Sequence, residues 1–183
     1  MASTSRVSSL LRTMVTSSMM LALAYILPFF TGNIPKIGNM LLPMHLPVLL
    51  CGFLCGGGWG AAVGFIAPLM RSFIIGTPPP FPTAAAMALE LAVYGLISGV
   101  LYRRLPKNIV GIYISLLSAM VCGRVVWGIA RAAMTLAGNN TFSFSAFIAG
   151  AVTTALPGIL LQLVAIPVLV LSLQRARLAP QAA

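Results

Sequence analysis

The sequence predicts an all-α integral membrane protein of six transmembrane helices, one domain over residues 1–183, with both termini cytoplasmic. Three observations carry that expectation. Sixty per cent of the residues are hydrophobic and only 7% are charged, against about 25% charged in an ordinary soluble domain. The mean hydropathy is +1.04. The apolar residues also fall into six runs, at 10–30, 45–57, 59–76, 84–102, 109–136 and 146–173, divided by stretches rich in Gly, Pro, Asn and Thr. A spanning helix needs about 20 mostly apolar residues, because every backbone polar group in hydrocarbon must be bonded within its own segment. Six such helices leave no length for a soluble catalytic or nucleotide-binding module.

The first run is too long and apolar for a cleaved leader, and "LPFFTGNIP" after it offers no small-residue cleavage site, so the helix is expected to stay. It carries Ser18 and Ala22 one turn apart, with Ser17 and Ala24 beside them. This narrow smooth stripe can pack internally or meet a partner protein. The second and third runs are joined by "CGGGW", a tight turn. Glycines recur at 52, 56, 60 and 64, and again at 95 and 99 in the fourth run, a spacing that lets membrane helices approach closely. Prolines 28, 35, 43 and 47, and those of "TPPPFP" within 78–82, stiffen the two longer outer loops. Both loops are expected to be ordered and able to line or cover a site; Asn39 sits in the first.

Orientation follows from the basic residues, which accumulate on the cytoplasmic side of short loops. Arg6 and Arg12 precede the first helix, Arg103, Arg104 and Lys107 lie between the fourth and fifth, and Arg175 and Arg177 follow the sixth. Six spans put all three groups on one face, and only Lys36 falls in a loop on the other. The net charge of +10 is therefore a consequence of topology in a lipid membrane. Nucleic acid is not an expected partner, since the basic residues flank helices instead of forming a patch with aromatics. Cys51, Cys55 and Cys122 lie inside apolar helices without His, Asp or Glu at matching spacing, which reads as packing and not as a metal site. Asn139, Asn140 and Thr141 match a glycosylation acceptor formally, but a turn explains them better.

Five ionisable residues fall within the spans: His45, Arg71, Glu90, Arg124 and Arg131. Each is a functional candidate, because a charge inside a bilayer is costly unless paired or hydrated. Counted from the outer helix ends at about 1.5 Å per residue, Arg71, Glu90 and Arg131 lie about 8–9 Å deep, His45 at the surface and Arg124 near the midplane. An outward-opening pocket would gather such groups. Arg124 and Arg131 are seven residues apart, on one face, with Trp127 and Gly128 between them. A Trp beside two guanidinium groups supplies a flat wall and a fork for a carboxylate. The alternative reading is that the arginines only lock helices, through Glu90 or backbone carbonyls. Glu90 is the single acidic residue of the chain, so cations remain in surplus, and Tyr94 one turn on places a phenol beside it. One His, no second carboxylate for acid–base work and no phosphate-binding loop speak against an enzyme. Uphill transport would need an ion gradient or another subunit.

The loop and turn "TGNIPKIGNMLLPMHLPVLLCGFLCGGGWGAAVGFIAPLMRS", the helix "ELAVYGLISGVLYRR" and the small-residue stripe of the first helix resemble the substrate-binding (S) components of energy-coupling-factor (ECF) vitamin importers. The resemblance covers nearly the whole chain and rests on the order of loop, glycine-rich turn, Pro68 and Glu-x-x-x-Tyr-Gly. It implies an S-component bundle with a vitamin held near the outer face, under the first loop. It also implies docking, through the stripe at Ser18 and Ala22, on a membrane-embedded coupling (T) protein driven by two ATPases. ATP would be used by those partners; no cofactor is expected on this chain. Surplus buried arginine favours a carboxylate ligand, pantothenate, its acid at Arg124 or Arg131 and its hydroxyls at Glu90 or Tyr94. A B6 vitamer is the competitor, its ring on Trp127 and its polar groups at Glu90 and His45. Two other readings are a stand-alone ion-coupled transporter, against which the single Glu and the lack of an evident repeat count, and a ligand-free structural membrane protein.

Overall fold

In the computed structural model, residues 2–32, 42–137 and 155–176 are described. Asn39, Lys36, the triplet at 139–141, Arg177 and the first part of the 146–173 run lie outside them. All regular structure among the described residues is helical: α1 (Ala2–Gly32), α2 (His45–Cys55), α3 (Gly57–Ile75), α4 (Ala85–Arg104), α5 (Ile109–Ala137) and α6 (Leu156–Arg175). A short turn, Pro80–Ala84, leads directly into α4.

Five segments, Val7–Phe30, Gly57–Ile75, Pro80–Arg104, Ile109–Leu136 and Leu156–Arg175, are long and apolar enough to cross a membrane. α2 differs, with 11 residues and a length of about 16 Å, roughly half the hydrocarbon thickness. Large apolar side chains stay outside the bundle along α1 and α5, among them Val7, Leu11, Val15, Val121, Val125 and Ile129. That is the surface a lipid environment requires, since lipid tails provide no reason to bury them.

The bundle is organised around α4, which packs against α2, α3 and α5. Its buried residues form two stripes. Leu91, Gly95 and Gly99 meet α3 and α2 almost backbone to backbone. A Cβ on Gly60 would lie 2.6 Å from the Gly95 carbonyl oxygen, and one on Gly52 would lie 2.6 Å from the same atom. Only glycine permits that approach, so the four-residue glycine period closes α2, α3 and α4 into one tight unit. The second stripe, Ala86, Glu90, Tyr94, Ser98 and Tyr102, is buried with larger and polar side chains.

One end of the bundle is fastened by its basic residues. The Arg103 guanidinium donates to the Cys55 carbonyl over 2.9 Å, next to Gly56, whose φ of 94° reverses the chain between α2 and α3. The Lys107 ammonium donates to the Tyr102 carbonyl and lies 4.2 Å from the centre of its ring. The Gln174 amide donates to the Tyr102 hydroxyl. α2, α4 and α6 are thereby tied together at this end, which fixes their relative heights.

α1 leans on α2 and α3. Ser17, Met20 and Ala24 are buried there, whereas Ser18 and Ala22 face outwards. The small residues of the first helix are thus divided between an inner and an outer face. Cys51 and Cys55 are buried and free, and the Cys55 thiol donates to the Thr13 carbonyl at 3.8 Å.

Candidate functional site

The polar stripe of α4 generates the site. Glu90 and Tyr94 stand one turn apart on it, and both are about 1% exposed. α2 adds His45, its first residue, which is equally buried. The His45 amide bonds the Leu42 carbonyl over 3.0 Å, and Leu42 itself is left-handed, with φ 49°. A bulky residue rarely adopts that conformation, so the entry to α2 is strained where it aims the imidazole inwards. The His45 and Tyr94 rings meet edge to face, centres 5.3 Å apart. His45 Nε2 lies 3.7 Å from Glu90 Oε1.

α5 closes the other side. Gly123 lies against the Tyr94 ring, where any side chain would collide with it, and this contact sets the register between α4 and α5. Arg124 follows, and its Nη1 approaches Glu90 Oε1 to 3.1 Å. The two are ion-paired, but their angles do not form a hydrogen bond. Arg124 Nε and Nη2, both ring nitrogens of His45 and Glu90 Oε1 have no hydrogen-bond partner among the described residues. Buried polar groups are normally bonded, so this concentration of open donors and acceptors makes the cluster the candidate site.

Trp127 lies between the arginines, 5.9 Å from Arg124 Cζ and 5.9 Å from Arg131 Cζ, each measured to a ring centre. Arg131 Nη1 donates to Thr83 Oγ1 over 3.0 Å. The seven-residue step from Arg124 to Arg131 is matched by the seven-residue step from Glu90 back to Thr83. The antiparallel helices therefore present two polar levels about 10 Å apart, Glu90 with Arg124 and Thr83 with Arg131.

These levels correct the depths expected from the sequence. Counting from the outer ends put Glu90 beside Arg131 and Arg124 deeper, on the assumption that the ends are flush. They are not, because α5 has 29 residues and α4 has 20. Counted from the short connection between Arg104 and Ile109, Glu90 and Arg124 come out level. Arg71 has a comparable height but a different face. It donates to the Tyr25 carbonyl at 3.4 Å and lies over the Phe29 ring at 5.1 Å, on the α1 side. His45, Glu90, Tyr94, Arg124 and Trp127 are brought together, with Arg131 one level further out; Arg71 is not among them, and Asn39 lies outside the described residues.

Two further polar residues of the bundle carry no charge and give little signal in the sequence. Thr83 follows Pro82, where its hydroxyl reads as an ordinary turn residue. Gln162 is a buried amide in the apolar run "LPGILLQLVAIP", and its only signal is a neutral polar side chain on the inward stripe of α6.

Residues 12–170 match the family model described as "ECF transporter, substrate-specific component". No curated protein and no solved structure matches the chain. The matched segment spans most of the 183 residues, and the helical bundle agrees with it. Membership brings with it a multi-pass position in the bacterial plasma membrane, a small-molecule substrate and association with a transporter's T protein and ATPases. The chain belongs to the substrate-specific components of ECF transporters.

Proposed function

We propose that the chain captures pantothenate at the outer face of the membrane and releases it inward when docked on the ATP-driven coupling module. The observation that carries this reading is the open edge of Arg124. Nη1 is engaged by Glu90, while Nε and Nη2, which point the same way from the guanidinium plane, have no partner among the described residues. Two parallel N–H groups of this kind fit a carboxylate. Glu90 offsets one arginine, which leaves Arg131 as the surplus cation of the cluster and favours an anionic cargo over a neutral one. Trp127 supplies an apolar wall along the 10 Å between the two arginines, about the length of a small vitamin. The docking surface is assigned to Ser18 and Ala22, supported by their outward position on α1.

The competing cargo is a B6 vitamer, favoured by the Trp127 face and by the His45–Tyr94 ring pair. Equilibrium binding by the purified protein decides between them. Pantothenate is expected to bind at micromolar concentration or below, and to lose at least tenfold when its carboxylate is replaced by the alcohol of panthenol. Binding of pyridoxine without binding of pantothenate overturns the assignment.

A further inference from the structure

The arginine side of the site is charged, whereas among the described residues the inward stripe of α6 carries one polar side chain, the neutral Gln162. It is fully buried and sits on the stripe Gly158, Gln162, Ile166 and Val170 that α6 turns into the bundle. α6 packs against α2 and α5, the helices that hold His45 and Arg124. Its height follows from the fastened end, where Gln174 meets the Tyr102 hydroxyl. Gln162 stands twelve residues before Gln174, and Glu90 twelve before Tyr102. Since α4 and α6 run in the same direction, both residues lie about 18 Å from that contact at 1.5 Å per residue. Gln162 therefore belongs to the layer of His45, Glu90 and Arg124, within about one helical turn.

Neither the amide oxygen nor the amide nitrogen of Gln162 has a hydrogen-bond partner among the described residues. An amide kept dry for structural reasons is ordinarily bonded to something. One kept open in the same layer as an open arginine edge has the properties of a recognition group.

We infer that Gln162 contacts the cargo and reads a neutral group that both donates and accepts hydrogen bonds, a hydroxyl or an amide, on the part of the molecule away from its carboxylate. A carboxamide has one acceptor and two donors and no charge, so it complements such a group and has nothing to offer a second carboxylate. The inference rests on the carboxylate reading of Arg124, which places the acid on α5 and turns the rest of the cargo towards α6. A site built to bond a hydroxyl or amide discriminates against cargo that lacks it, because its own polar group is then left unpaired.

The test is Gln162→Met, which keeps the length of the side chain and removes its polar atoms. Binding of pantothenate and of pyridoxine, and thermal unfolding without ligand, are measured for both proteins. Wild type is expected to bind pantothenate, the variant at least tenfold more weakly, and the variant's ligand-free unfolding temperature should be unchanged or higher, since an unpaired buried amide has been removed. Unchanged affinity for whichever vitamin the wild type binds overturns the inference. So does a variant that unfolds at lower temperature or fails to fold, because Gln162 is then structural. If wild type binds only pyridoxine, the choice of pantothenate and the carboxylate orientation fall, and only the contact between Gln162 and the cargo is left to be judged, a tenfold loss of pyridoxine affinity in the variant supporting it and unchanged affinity overturning it. If it binds neither, the cargo assignment and the inference that rests on it both fall.

Discussion

The two faces of α4 are built on opposite plans. Towards α2 and α3 it presents Gly95 and Gly99, and the helices meet with almost no side chain between them. Towards α5 and the site it presents Glu90 and Tyr94, and the helices are held apart by an aromatic ring and an ion pair. Glycine contact maximises packing between backbones, the main source of helix association where no hydrophobic effect operates. Polar side chains with open bonds contribute little to packing and leave groups for a ligand. One helix thus separates a rigid support from a binding surface by about a third of a turn.

The sharpest way to break this contrast is on the rigid face. Gly95→Leu should give no folded protein, and Gly95→Ala should destabilise by about 3 kcal/mol, measured by denaturant titration in detergent. The next effect is on the polar face. Arg124→Met leaves the Glu90 carboxylate buried without its guanidinium and should destabilise by about 3–5 kcal/mol. Adding Glu90→Gln should restore most of that loss, while binding remains absent. A double mutant no more stable than Arg124→Met would show that the pair does not act as a unit.

Arg131→Leu separates binding from folding. Affinity for the wild-type ligand should fall about a hundredfold, or about 2.7 kcal/mol, with little change in unfolding; loss of the fold instead would favour arginines that merely hold helices. Gly123→Ala moves the boundary between the faces, since its methyl displaces the Tyr94 ring. A cost of about 1–2 kcal/mol, with weaker binding, is expected in the same titrations. The smallest effect belongs to Arg103→Ala, remote from the site. Losing its partly buried hydrogen bond to the Cys55 carbonyl should cost about 1 kcal/mol and leave affinity as it was.

The fold class was legible because composition is decisive when 7% of residues are charged, and the family resemblance read from the loop, turn and α4 agrees with the matched family model. The common face of Arg124, Trp127 and Arg131 was legible from helical period alone. Which acid met which arginine was not, because depth counted from free ends ignores unequal helix lengths, whereas a short loop ties two helices at a known point. Arg71 shows the complementary weakness, since height without azimuth cannot place a side chain. Gln162 and Thr83 escaped because a neutral polar residue gives no electrostatic signal in a sequence; only burial and unbonded atoms reveal what Gln162 lacks.

The ion pair of Glu90 with Arg124 has an electrical consequence. The pair contributes no net charge of its own, and Arg131 adds one unpaired positive charge to the arginines and carboxylate of the cluster. Moving one elementary charge through a membrane potential of about 100 mV involves about 2.3 kcal/mol. An anionic ligand seated in the proposed site would cancel the charge of Arg131, so the loaded cluster would be electrically neutral and the empty one would not.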